Sequence, residues 1–226
     1  MRRARCTAIC AVTTGITLAG CSAGAGGPQP RNGGTLVVAL GAAPASLNPL
    51  VAHDIESERA YAPLYPLLYA AEPDLSITPE LAGGSPSFSS DGLTLTVPLR
   101  QDAHWSDGAP ITADDVVYTV TTEMDPSLQT QEPFDWSPLM SVKAVDAHTV
   151  RFVLSTPDAA FAADRLVTPI VPAHVFKATP PSQMASAAFD QSPSVSGGPY
   201  IFRSRTPHGV NLDANAGFFL GRPHAD

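Results

Sequence analysis

Hydrophobic and polar positions change period along this chain, and the changes mark its elements. The sharpest pattern follows Asp91-Gly92, where Leu93, Leu95, Val97 and Leu99 alternate with Thr94, Thr96, Pro98 and Arg100. A turn dipeptide followed by period two predicts a half-buried strand. Pro98, with no N–H to donate, predicts an edge or a bulge. Thr35 to Leu40 is a continuous apolar run after Gly33-Gly34, which predicts a strand buried on both faces. Glu56 to Ala70 carries apolar residues at helical spacing, but Pro63 and Pro66 lie inside it, so a short or broken helix is expected. Pro73 to Pro86 reads mainly as turns. Thr112-Ala113-Asp114-Asp115 has the form of a capping box, and Val116, Val117, Val120 and Met124 give the following helix its buried stripe, ended by Asp125-Pro126.

Later elements are shorter. Val142 to Val145 and Thr149 to Leu154 read as two strands joined by Asp146-Ala147-His148. Ala159 to Leu166 reads as a short helix, and Ile170 to Phe176 is apolar but straddles Pro172. The Ser/Pro/Ala-rich stretch Thr179 to Gly197 reads as a loop. Gly198 to Phe202 and Val210 to Leu212 are late strands, and Phe218 to Asp226 reads as the middle of an element. No repeat at solenoid period is present. The fold class is α+β with mixed sheets.

Composition narrows the function classes. Of 226 residues, 44% are hydrophobic and 15% charged, enough apolar material for a core and too little charge for a disordered chain. The formal net charge is −8, which argues against a nucleic-acid partner needing phosphates neutralised. No apolar run reaches the roughly 18–20 residues of a membrane span. The 23 prolines and 17 glycines predict many connections and short helices.

The first residues read as an address. Arg2, Arg3 and Arg5 precede an uncharged stretch from Cys6 to Ala19, and Leu18-Ala19-Gly20-Cys21 follows. Basic start, apolar stretch and small residues before a break describe a signal peptide over 1–20 for the general secretory route. The last four residues resemble the lipobox of bacterial lipoproteins, which implies a diacylglyceryl group on Cys21. Cleavage there would leave 10 Lys+Arg against 21 Asp+Glu, a net charge of −11, and Cys21 as the single cysteine. Residues 21–32 then form a flexible Gly/Ala/Pro/Gln-rich tether, and the expected location is the extracytoplasmic membrane face, lipid-anchored.

Candidate chemistry is sparse. Asp107 and the Asp114-Asp115 pair invite an acid–base reading, but a turn and a helix start account for them better. No two of the six histidines sit at i, i+4 on one expected helix, so no metal site follows from spacing. Trp105 and Trp136 read as packing residues. Nucleophile elbow, P-loop and dinucleotide fingerprint are all missing, so neither an enzyme nor a cofactor is expected.

Several segments, in order, resemble the family 5 extracellular solute-binding proteins, which serve peptide, dipeptide and nickel ABC importers. They are Gly33 to Leu40, Ser46-Leu47-Asn48-Pro49, Pro79-Glu80-Leu81-Ala82, Ser90 to Thr94, Leu99-Arg100 with Trp105 to Tyr118, Val171 to Val175, Gly198 to Phe202, and Asn215 to Pro223. The resemblance implies a periplasmic-binding-protein-like type II fold, here incomplete. It assigns 33–50 plus 156–226 to a partial domain I and 51–155 to domain II, with domain III absent. It further implies capture of a peptide or other small solute, hinge closure, delivery to an ABC permease, and a monomer. Ligand contacts from this half fall on the loop Ala43-Pro44-Ala45 and on Tyr118. The rival expectation is a free-standing truncated lipoprotein that binds a partner or nothing.

Overall fold

The computed structural model describes residues 32–74, 76–130 and 133–226. The signal segment, Cys21 and the tether up to Arg31 lie outside the described residues.

Asp54 starts helix α1 (Ile55–Tyr61), its carboxylate accepting from the Ser57 amide at 2.9 Å, as an N-cap should. Pro63 limits the continuation to one 3-10 turn over Ala62–Leu64, so the helix is short and broken as its prolines predict. Past Pro66 the chain extends into β1 (Tyr69–Ala71), which pairs antiparallel with β2 (Ile77–Pro79). The segment expected to be mainly turns thus contains a strand. Gly197 and Gly198 both donate to Leu64 O at 2.9 Å. A Cβ on Gly198 would stand 2.5 Å from Pro63 O, so this close approach requires glycine.

The main sheet holds β3 (Ser87–Phe88), β4 (Thr94–Pro98), β5 (Leu139–Asp146) and β6 (Thr149–Leu154), in the order β3-β4-β6-β5. Gly92 takes φ +70° in the turn before β4, which Asp91-Gly92 allows. Leu95 faces Phe152 and Val97 faces Val150, all fully buried, so the period-two pattern does select one core face. Pro98 is not on an edge strand. Leu99 N–H points toward β6 and donates to His148 O at 2.8 Å, so the Pro98 nitrogen points to the β3 side, where pairing stops at Thr96. Its missing donor therefore leaves no gap. Every ladder among the described residues is antiparallel.

Helix α2 (Ala113–Glu123) begins with the expected capping box, Asp115 accepting from Thr112 N at 2.9 Å. Its buried face differs from the expected stripe. Val116 and Val120 are buried, but Val117 is only half-buried and Met124 is 41% exposed. Asp115, Thr119 and Glu123 are buried in their place. The reason is the segment 168–173, which runs antiparallel to the helix. Asp115 Oδ1 accepts from Ala173 N (2.9 Å), Thr119 Oγ1 from Val171 N (3.1 Å), and Glu123 Oε1 from the Thr168 hydroxyl (3.5 Å). From Asp115 to Thr119 the helix rises about 6 Å while Ala173 to Val171 spans about 6.6 Å, so these two bonds stay in step, and the next, from Glu123, reaches three residues further back to Thr168. The other edge of the segment is held too, with Ile170 N donating to Pro66 O at 2.8 Å.

Short helices α3 (Phe161–Arg165) and α4 (Ala173–Phe176) flank this segment. Phe161 carries an aromatic chain from Phe152 (6.0 Å) to Trp136 (6.4 Å) and Phe134. The stretch 179–197, expected as a loop, folds into 3-10 turns that bury Met184 and Phe189. The hairpin β7 (Tyr200–Thr206) and β8 (Gly209–Ala214) closes the described chain's strands.

The expectation for the first apolar run also fails. Thr35 to Leu40 forms no strand, and Leu36, Val37 and Val38 are 69%, 84% and 66% exposed. A doubly buried strand needs partners on both edges, and no described strand reaches it. Its backbone ties are at the start, where Gly33 N donates to His224 O (2.7 Å) and Asp226 N to Gly34 O (2.9 Å).

Two predictions follow from the α2 ridge. Thr119→Val keeps shape but leaves Val171 N–H buried without an acceptor, so denaturant unfolding should show a loss of about 1–3 kcal/mol, largely restored in Thr119→Ser. Burial raises the Glu123 carboxyl to about 8 and the Glu80 carboxyl to about 7. The folded chain then holds protons that the unfolded chain has released above about 4.5. Stability should fall as pH rises from about 4.5 to 8, and in Glu123→Gln a urea series across that range should show a shallower fall.

Candidate functional site

The loop Ala43-Pro44-Ala45 stands between two clefts. One, of about 820 Å³, is bordered by Leu36 to Val38, Ala43, Pro44, Arg59 and the β7–β8 hairpin around Val210. The other, of about 800 Å³, is bordered by Ala45, Ser46, His53, Asp54, Thr130 and Asp190. Pro44 is buried, while Ala43 and Ala45 are exposed.

The residues after the loop explain why it holds its place. Ser46, Leu47, Asn48 and Leu50 are all buried. The Ser46 hydroxyl donates to the Asp190 carboxylate and accepts from Asn48 N at 2.9 Å. Leu47 N donates to Asp190 O at 2.7 Å, and Asn48 Oδ1 accepts from Leu50 N at 3.1 Å. A small hydroxyl, an apolar anchor and an amide that closes its own turn are thus each used. Within the loop, Ala45 N and Ser46 N donate to Ser57 Oγ at 3.0 and 3.2 Å. Gln191 Nε2 donates to Ala45 O at 3.1 Å, and Arg205 donates to Pro44 O.

Of the expected contact residues, the structure brings Ala43, Pro44 and Ala45 to the cleft rims. Tyr118 lies on α2, half-buried against the core edge, and lines neither of these two clefts. Burial raises its hydroxyl pKa above the usual value, with a hydrogen bond from Thr122 opposing. Cys21 lies outside the described residues.

Ser57, Asp190, Gln191 and Arg205 were not singled out from sequence. The contacts of Asp190, Gln191 and Arg205 with the loop span more than 140 residues, so no local period reports them. Asp190 and Gln191 lie within the stretch that reads as a loop.

The acidic residues of the central motif have structural work. Asp107 Oδ1 accepts from Ala109 N at 3.1 Å, and Oδ2 meets His174 Nε2 at 2.8 Å, joining the 105–110 turn to α4. Burial raises the Asp115 carboxyl against hydrogen bonds from Thr112, Ala173 and Trp105. Trp105 and Trp136 are buried, donating to Asp115 (3.4 Å) and Glu123 (2.9 Å). Among the described residues no group of three or more His, Cys, Asp or Glu is placed to hold a metal.

Three comparisons bear on this geometry. The model of the bacterial extracellular solute-binding proteins, family 5 Middle, matches residues 76–226. Protein XP55 of Streptomyces lividans is 34% identical over 200 residues, covering 86% of this chain and 35% of that protein. The oligopeptide-binding protein AppA of Bacillus subtilis is 28% identical over 200 residues, covering 88% of this chain and 37% of that protein. The structure of AppA in complex with a nonapeptide matches with a TM-score of 0.82 at 28% identity, over 88% of this chain and 40% of that one. The ABC transporter substrate binding protein CtaP of Listeria monocytogenes matches with a TM-score of 0.76 at 31% identity, over 87% and 40%. The chain thus spans 35–37% of the length of these two curated relatives.

The Ser46 anchor generates a prediction. Ser46→Ala leaves Asn48 N and the buried Asp190 carboxylate each short of a partner, so chemical unfolding should show a loss of about 1–3 kcal/mol. A loss below about 0.5 kcal/mol, the level of a surface substitution, would mean that the loop is held by other contacts.

Proposed function

Since the chain belongs to the bacterial extracellular solute-binding proteins of family 5, we propose that it acts in capture of oligopeptides outside the cell membrane for an ABC permease. Its described fold corresponds to about 40% of a type II periplasmic binding protein, and its relatives are solute-binding proteins rather than enzymes. The observation that carries the peptide reading is the match to AppA, a protein whose structure holds a nonapeptide, together with a pinned loop at the rims of two clefts.

In this reading, 33–50 with 156–226 belong to domain I and 51–155 form domain II, and the hinge closes domain I against domain III. The four-stranded sheet drawn wholly from 87–154 supports that division. Solute enters beside Ala43–Ala45, closure excludes water, and the loaded monomer docks on the permease. Tyr118 offers its hydroxyl from domain II. No metal or cofactor is required. Cys21 carries the lipid, and 21–32 tethers the folded part near the membrane. Among the described residues no helix is long and apolar enough to cross a membrane, which is compatible with an anchor supplied by lipid.

Thermal unfolding with and without a random nonapeptide library tests the reading. A native-state binder gains about 2.7 kcal/mol at a hundred times Kd, so the midpoint should rise with library concentration. A cooperative transition indifferent to the library would contradict peptide capture and favour the free-standing interaction protein. Cys21→Ala should release the protein from the membrane fraction if the anchor is as proposed.

A further inference from the structure

The loop between the two clefts has few polar groups left to offer. Pro44 has no N–H, and its carbonyl accepts from Arg205. Ala45 spends its N–H on Ser57 and its carbonyl on Gln191. Ser46 N–H goes to the same Ser57 oxygen. Only the exposed Ala43 keeps both backbone groups without a hydrogen bond among the described residues.

Ser57 is central to this arrangement. It is fully buried on the first turn of α1, and both acceptor positions of its hydroxyl are taken by consecutive amides of the loop. Its backbone N–H donates to the Asp54 carboxylate at 2.9 Å, which fixes the first turn of the helix that carries the hydroxyl. The helix start is thus coupled to the loop through one oxygen atom.

We propose that Ser57, backed by Asp54, is the positioning residue of the solute-contact loop, and that Ala43 alone presents a backbone donor and acceptor to the solute. This inference rests on the peptide reading above. The class of ligand that fits one free N–H and one free C=O is a solute with an extended amide main chain, paired at a single residue. Side-chain recognition from this loop is excluded, since it offers only two methyl groups and a buried ring.

The test separates positioning from binding. Amide hydrogen exchange on the full chain without peptide should show Ala45 and Ser46 exchanging about tenfold faster in Ser57→Ala, with Leu47, bonded to Asp190 O, unchanged. Ser57→Thr, which keeps the oxygen, should restore protection. Titration with the random nonapeptide library should show affinity weakened about tenfold in Ser57→Ala and recovered in Ser57→Thr. Ala43→Pro, which deletes the free N–H, should weaken affinity while leaving Ala45 and Ser46 protected. Exchange of those two amides within twofold of the parent in Ser57→Ala would overturn the positioning role. Faster exchange with unchanged affinity in a parent that binds peptide would overturn the link to solute contact. A parent that binds no peptide would overturn that link together with the peptide reading, while the exchange result still decides the positioning role.

Discussion

The structure depends on how the buried face of α2 satisfies a backbone that belongs to no strand. Between α3 and α4 the chain crosses the core outside any named strand, and buried N–H groups there need acceptors. Asp115 and Thr119 accept from the Ala173 and Val171 amides, and Glu123, four residues further along the helix, accepts from the Thr168 hydroxyl. The same carboxylates hold both tryptophan indoles. Ile170, Val171, Phe161 and Phe176 are buried around this segment, so apolar packing and polar ridge stand together. A partly satisfied ridge would be worse than an apolar one, which gives the Asp115 and Glu123 carboxyls a structural purpose in a chain whose motifs invite an acid–base reading.

This ridge also marks where sequence reading stops. The period-two strand at 93–99 and the 139–154 hairpin were legible because their contacts are local or face one side of a sheet. The α2 stripe was misplaced because hydrophobicity alone cannot register a helix face that buries Asp115, Thr119 and Glu123. The run Thr35 to Leu40 was misjudged for the opposite reason. Its composition suits a central strand, but strand formation requires partners on the edges, and composition carries no information on whether they are present.

The candidate site divides in the same way. Ala43-Pro44-Ala45 is an expectation carried by the resemblance of Ser46-Leu47-Asn48-Pro49, and the structure sets these three residues at two cleft rims. Its clamps come from a helix 12 residues on and from segments beyond 140 residues away. A serine, an aspartate, a glutamine and an arginine in unremarkable sequence become a site only when the fold brings them to one loop. The backbone polar groups of Pro44 and Ala45 are spent on these clamps, and a loop held in place loses less freedom when a solute binds.

The central claim is that solute is held at this loop. The most direct measurement is photo-crosslinking of the full chain with a nonapeptide library carrying a benzophenone side chain, followed by mass-spectrometric localisation of the label. The account predicts label on Ala43 to Ala45 or on the cleft walls beside them, suppressed by unlabelled library. Saturable label confined to the aromatic cleft around Phe134 and Trp136, or label that unlabelled peptide does not suppress, would contradict it.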